Sequence, residues 1–395
     1  MEYVGNKGYR LLSFNDINAG LPGASRCLNA AALAGTGPQS LDACGPNAIG
    51  PNGTINPACV AAKNCSANPL ALQEARPFYN KFPYLGFINF ANNLSHSRYD
   101  SLQVSVTKRM SHGLSFNAGY TYGHGLDNGS LNRFSNSPQD ANNIAGEYAN
   151  SDFDIRNRFT FTATYDIPGI KGFGQLLEGW EINGIVNYET AQPWLAFDAG
   201  SDFSATGEFA DRWNIKGPAS NFVSGKESIP FCSGFPATPT CSVATIYGPI
   251  AAPSAVTPSL CTAAAADLNT LATAGCYVSP NGQSVLTPPA IGHFGDMGRN
   301  IFRDSGYKNL DFSVFKNFTF KERFHAQFRV EVFNVFNHPL AANPYGASSA
   351  VNAGDTLNGG LGFGAAGQTP DFAAGNPLIG SGSQRDMQLG LKLSF

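Results

Sequence analysis

Asp152, Asp154, Arg156 and Arg158 stand at every second position of one short stretch. Two carboxylates and two guanidiniums at that spacing share one face of an extended chain, where they can clamp a charged ligand or form an ionic gate. The plainer reading is pairing that offsets the burial of charge. Arg329 and Glu331, two positions apart, read the same way. Other chemistry is thinly represented. The six histidines (His96, His112, His124, His293, His325, His338) have neither helical i, i+4 spacing nor a neighbouring nucleophile. Gly362-Phe-Gly364-Ala-Ala-Gly367 spells a dinucleotide fingerprint, but it neither follows a strand nor opens a helix. No nucleophile with its base and no metal cage is recognisable. An enzyme is therefore not expected, and no catalytic, cofactor-binding, metal-binding or individual ligand-binding residue is assigned.

The cysteines are more informative. Cys27, Cys44, Cys59 and Cys65 fall in one Pro/Gly/Ala/Asn-rich stretch, and Cys232, Cys241, Cys261 and Cys276 in another. Even numbers confined to loop-like segments point to disulfides in an oxidising compartment. Zinc is the rival reading, weakened by the lack of any Cys-x-x-Cys pair and the scarcity of nearby histidine. Sequential pairing (27–44, 59–65, 232–241, 261–276) is the simplest arrangement, although each group of four allows three connectivities.

The elements that must position these residues are strands. Only 13% of the 395 residues are charged, against about 25% in soluble domains. Thirty Phe and fourteen Tyr against four Met suit extended segments that display aromatics. A net charge of −3 gives no electrostatic case for nucleic acid. No apolar run approaches the roughly 18 residues of a membrane-spanning helix, which says nothing against strands that are apolar at every second position.

Eight segments alternate in this way, near residues 3–14, 97–110, 113–125, 153–167, 180–192, 307–317, 323–336 and 387–395. The last is the clearest: Met387, Leu389, Leu391, Leu393 and Phe395 oppose Gln388, Gly390, Lys392 and Ser394. In 113–125, Leu114, Phe116, Ala118, Tyr120 and Tyr122 form one face, and in 323–336, Phe324, Ala326, Phe328, Val330 and Val332 do so. The first segment alternates poorly. The opposite faces carry mainly Thr, Ser, Asn, Gln and Gly, which suits a wet lumen. Trp, Tyr and Phe near the segment ends suit membrane interfaces. Lys108 is out of place on an apolar face, but near a strand end its stem can snorkel.

The connections 15–96, 111–112, 126–152, 168–179, 193–306, 318–322 and 337–386 alternate long and short. Compact soluble domains rarely carry several structureless loops beyond about 15 residues. A transmembrane barrel has this rhythm, with tight periplasmic turns and long extracellular loops. Both chain ends are then expected on the periplasmic side, and residues 262–274 form a short helix in the largest loop. The secreted β-sandwich alternative calls for evenly short loops and a charged outer face. Met1-Glu-Tyr-Val-Gly-Asn-Lys-Gly8 is not a signal peptide, so the chain is expected to be the later part of a longer one.

Several stretches resemble motifs of TonB-dependent receptors of the Oar-like class. They are Ser97–Arg109 with His112–Phe116, Ser151–Phe159, Gly179–Gly184 with Gln192-Pro-Trp194, Gly298-Arg-Asn300, Asp311–Asn317 and Phe328–Pro339. The resemblance implies an all-β, antiparallel transmembrane β-barrel of about 22 strands around an N-terminal plug. This chain supplies about eight C-terminal strands and lacks the plug and the TonB-contacting segment. It further implies import of a large or scarce solute across the bacterial outer membrane, with contact to TonB only through the missing N-terminal part. Expected partners are outer-membrane lipid and the barrel-assembly machinery, which the Met387–Phe395 strand is fitted to meet; no cofactor is expected. The alternative function is a surface or adhesion protein whose barrel anchors disulfide-braced loops. A small closed barrel of eight strands is a third, weaker architecture.

Overall fold

A computed structural model describes residues 1–23, 76–130, 138–170, 173–198, 201–208, 211–222, 228–245, 248–303, 306–320, 324–338 and 385–395. The long strands are β1 (Glu2–Asp16), β2 (Asn89–Ser111), β3 (Leu114–Asp127), β4 (Asn157–Asp166), β5 (Trp180–Glu189), β6 (Tyr307–Phe320), β7 (Phe324–Phe333) and β8 (Asp386–Ser394). They pair antiparallel in sequence order, β1 to β8, in one sheet, and the short segment Ala149–Asn150 adds to the end of β3. The sheet is not closed, since β1 and β8 do not pair with each other.

Register explains why the alternation is so clear in most strands. Val106, Ala118, Phe161, Val186 and Leu310 lie side by side across β2 to β6. Phe116, Ala163, Gly184, Phe312, Val332 and Met387 form a neighbouring row that reaches β8. Side chains one residue off, such as Thr107, Asn117, Thr162 and Asp311, fall on the other face. One face is therefore an apolar surface spanning seven strands and the other is polar. The poor alternation of β1 has a physical cause. Its pairing with β2 shifts register between Gly8 and Leu11 and again before Ser13, and Arg10 takes a left-handed φ of 56°. Such bulges re-aim the side chains that follow them.

The tight β2–β3 turn holds His112 and Gly113 at φ 53° and 74°, the handedness that matches strand twist. A Cβ on Gly113 would lie 2.5 Å from the Asp166 carbonyl, so glycine is required there. This turn, the β4–β5 connection and the β6–β7 connection share one end of the sheet with Met1 and Phe395. The four long connections share the other end. β2 begins at Asn89, earlier than its alternation indicates, and β4 begins only at Asn157 because the charged residues before it are engaged elsewhere.

The largest connection departs most from expectation. The described residues between 190 and 306 form a folded unit and not a structureless loop. Six short strands, Asn214–Lys216, Phe231–Ser233, Thr240–Thr245, Gly248–Ala251, Cys276–Val278 and Val285–Thr287, form a second sheet. The single short helix expected at 262–274 is instead two. Helix α1 (Pro258–Ala264) starts earlier, with Pro at its first turn. Helix α2 (Leu268–Ala274) is capped by Asp267, which accepts from the Asn269 N–H at 2.9 Å. Trp194, Phe203, Trp213, Phe222, Tyr277, Leu286, Met297 and Phe302 form its core, with Trp194 stacked on Phe302 at 4.9 Å.

Among the described residues, every buried apolar side chain lies outside the eight long strands. The apolar side chains of the sheet are open instead: Leu389 is 68% and Leu391 66% exposed. Among the described residues, no second protein layer covers that face, as a sandwich would require.

Candidate functional site

At the long-connection end, the folded unit is fastened to the strands by buried charge. Gly298-Arg-Asn300 supplies the centre. The Arg299 guanidinium, 3% exposed, donates from Nη2 to the Asp127 backbone carbonyl and to Asp127 Oδ1, both at 2.5 Å, and from Nε to the Glu147 carbonyl at 3.0 Å. Its Nη1 lies 4.0 Å from Asp152 Oδ1. Asn300 Nδ2 donates to Asp152 Oδ1 at 2.6 Å and to the Asn150 carbonyl at 2.8 Å. Asn150 returns a hydrogen bond to the Asn300 carbonyl at 3.0 Å.

Two further arginines extend the belt. Arg212 grips Glu147 with both terminal nitrogens, at 2.5 and 3.1 Å. Arg303 and Arg156 share Asp154 Oδ2, at 2.5 and 2.8 Å. The charged run before β4 is thereby divided. Asp152 and Asp154 turn to residues 299–303, whereas Arg158 pairs with Glu189 on the polar face of the sheet at 2.9 Å. Pairing is the geometry found: Arg156 holds Asp154 two residues away and Arg158 holds Glu189, while Asp152 and Asp154 also take partners about 150 residues away in the chain. Burying such pairs contributes little net stability, while removing one partner costs about 3–5 kcal/mol. The belt therefore fixes the position of the folded unit.

Arg329 and Glu331 do not form the expected pair. Arg329 donates to Gln327 Oε1 at 2.6 Å and lies over the Phe315 ring at 5.2 Å. Of the histidines, His124 Nε2 meets Arg156 at 2.7 Å and His96 stacks on Tyr148 at 4.7 Å. The Gly362–Gly367 stretch lies outside the described residues.

Cys232–Cys241 and Cys261–Cys276 are disulfide-bonded. The first joins residues paired across two strands, and the second ties α1 to the sheet strand Cys276–Val278. The sulfurs of Cys232, Cys261 and Cys276 come within 4.8 Å of one another, but each belongs to a disulfide, which leaves no thiolate for a metal. Cys27, Cys44, Cys59 and Cys65 lie outside the described residues. Met387, Leu389, Leu391 and Leu393 all lie on the apolar face of β8, beside Val332, Val330, Phe328 and Ala326. Phe395 follows the strand and is 96% exposed.

Lysines mark the limits of the apolar face. Lys108 Nζ donates to the carbonyls of Ser111 and Leu114 at 2.8 and 2.6 Å, which closes its own turn. Lys316 escaped the sequence reading, although it follows Leu310, Phe312 and Val314 on the same face. Its ammonium donates to the Gln175 and Glu178 carbonyls, both at 2.5 Å, and sits 4.2 Å over the Phe318 ring. Lys308 lies over Tyr188 near the other end. At about 3.4 Å per residue, Lys308 to Lys316 spans about 27 Å, close to the roughly 25 Å apolar band of transmembrane barrels.

An antiparallel sheet with one open apolar face of that height, one polar face and all long connections at one end defines a β-barrel membrane protein. A family model for the outer membrane beta barrel domain matches residues 1–369. The chain belongs to that family, which places it in the bacterial outer membrane. No curated protein and no solved structure matches it.

Proposed function

We propose that this barrel belongs to a TonB-dependent-receptor-like transporter, Oar-like in its motifs, which in its full-length form binds and imports a large or scarce solute. The observation that carries the reading is that β1 and β8 are the two edges of the sheet and have no further strand beside them among the described residues. Unpaired backbone groups are not tolerated in hydrocarbon, so further strands complete the wall, as in a larger barrel around a plug. The long connections and the 190–306 unit face outside and meet the solute first. The short connections and both ends of this chain face the periplasm, where β8 engages the barrel-assembly machinery and TonB acts through an N-terminal part beyond this chain. The protein carries out no enzymatic chemistry. Uptake by cells carrying the full reading frame tests this: accumulation of solute should require both TonB and the proton gradient. Uptake unaffected by loss of TonB, or a complete reading frame without a plug, would contradict it.

The compact unit at 190–306, with its own core and two disulfides, favours a second reading in which the barrel anchors a displayed adhesive surface. Cell attachment abolished by excising that unit, with no TonB-dependent uptake, would favour this alternative.

A further inference from the structure

Cys241, Cys232 and Cys276 form one row across three neighbouring strands of the second sheet. Cys232 is the register partner of Cys241 on one side and of Cys276 on the other. It is disulfide-bonded to Cys241, while Cys276 is bonded to Cys261 on α1. The sulfurs of Cys232, Cys261 and Cys276 lie within 4.8 Å of one another, so the two bridges are neighbours inside one core. Bridges that only brace their own loops need no such proximity.

A bond from Cys232 to Cys276 requires no movement of the backbone. The Val278 N–H donates to the Pro230 carbonyl at 3.0 Å. Hydrogen-bonded pairs recur at every second residue of an antiparallel ladder, so Cys276 and Cys232 form another such pair. The Cα atoms of such pairs lie about 5.5 Å apart, within the roughly 4.4–6.8 Å that a disulfide spans. Access differs among the sulfurs. Cys232, Cys261 and Cys276 are fully buried, whereas Cys241 is half-buried. A thiol arriving from solvent therefore meets Cys241 first.

We propose that these four cysteines form a thiol–disulfide exchange relay, which accepts a small thiol at Cys241 and frees a thiol at Cys261. In the first step the incoming thiolate bonds to Cys241 Sγ and breaks the Cys232–Cys241 bond, leaving the electron pair on Cys232. In the second, the Cys232 thiolate bonds to Cys276 Sγ and breaks the Cys261–Cys276 bond, leaving the electron pair on Cys261. Cys261 takes up a proton, which balances the one given up by the entering thiol. Each step forms one S–S bond and breaks one, so nothing besides the thiol is consumed. The product has lost the covalent tie between α1 and the sheet and gained one between strands Phe231–Ser233 and Cys276–Val278. Attack at the accessible sulfur is thereby coupled to release of α1.

Reduced glutathione is the probe. The whole chain, folded in detergent micelles, is treated with it, quenched with N-ethylmaleimide, digested without reductant and mapped by mass spectrometry. The expected result is a linked Cys232–Cys276 peptide, glutathione on Cys241 and maleimide on Cys261, all rising together. Scrambling through the unfolded chain would populate the three pairings of four cysteines about equally, whereas the relay should give Cys232–Cys276 in at least about tenfold excess over Cys241–Cys261. Cys261→Ala provides a second test that needs no added thiol. The Cys276 thiolate then faces the Cys232–Cys241 bond directly, so part of the folded variant should carry Cys232–Cys276 and a Cys241 that reacts with maleimide. Absence of the Cys232–Cys276 peptide from treated wild type, its appearance only in urea, equal amounts of the alternative pairings, or a Cys261→Ala chain whose Cys241 stays wholly bonded to Cys232 would each overturn the proposal.

Discussion

Arg299 and Asp127 lie 172 positions apart and meet at 2.5 Å, the guanidinium holding both the side chain and the backbone carbonyl of the aspartate. Asp127 is the last residue of β3 and Arg299 lies near the end of the 190–306 unit, so this contact binds the unit to the barrel wall. Arg299→Ala leaves Asp127 and Asp152 buried without their cation and should destabilise the junction by about 3–5 kcal/mol. Urea unfolding of the refolded chain measures the loss. Adding Asp127→Asn to Arg299→Ala should recover part of it, because the orphaned charge is then gone.

The apolar face is expected to be intolerant of charge and the polar face tolerant. Phe161→Arg, between Ala118 and Val186 in the middle of the band, should cost about 2–4 kcal/mol in a bilayer. Thr162→Arg, one residue along and facing the lumen, should be close to neutral. Heat-modifiable gel mobility and folding yield into lipid vesicles distinguish the two.

Much of this arrangement is legible in the sequence, and the reason is periodicity. Where register is continuous, as in β2 to β8 apart from the shift between Lys108 and Ser111 beside the β2–β3 turn, alternation alone locates the strands to within a few residues, except at the early start of β2. It weakens in β1 because the bulges near Gly8 and Leu11 break the period. It fails in 190–306 because strands of three to six residues carry too few repeats to register. The core of that unit is assembled from Trp194, Trp213, Tyr277 and Phe302, which no short-range pattern links. The alternation of Asp152, Asp154 and Arg156 was visible. Their partners Asn300 and Arg303 were not, since a pairing across about 150 residues leaves no local trace. Lys316 was hidden by the opposite problem. It reads as an interruption of a stripe, and only the carbonyls of Gln175 and Glu178 give its ammonium a place.

Disulfide removal should act locally. Cys261→Ser with Cys276→Ser opens a covalent loop whose ends are 15 residues apart and should destabilise the 190–306 unit by about 3 kcal/mol. The sheet should be unaffected. Limited proteolysis should cleave within 190–306 while the barrel retains its heat-modifiable mobility.

The buried carboxylates make a pH prediction. Burial, reinforced by the neighbouring Asp16 carboxyl, pushes Glu208 up to about 8. Burial, with the charges of Asp202 and Asp198 adding to it, pushes Asp211 up to about 8. Acids raised above their ordinary values favour the folded state fully at low pH and lose that contribution as pH rises through the folded value. The 190–306 unit should therefore lose stability progressively between about pH 4 and pH 8. Proteolysis rates across that range measure the loss.

Hydrocarbon, and not protein, is expected to solvate the apolar face of the sheet. The most direct measurement is quenching by brominated lipid of a tryptophan placed at Val330 or at Glu331, neighbours on β7 that face opposite ways, read as the difference from the parent chain in vesicles. Strong quenching at position 330 and little at 331 is predicted. Equal quenching at both positions, or none at 330, would contradict it.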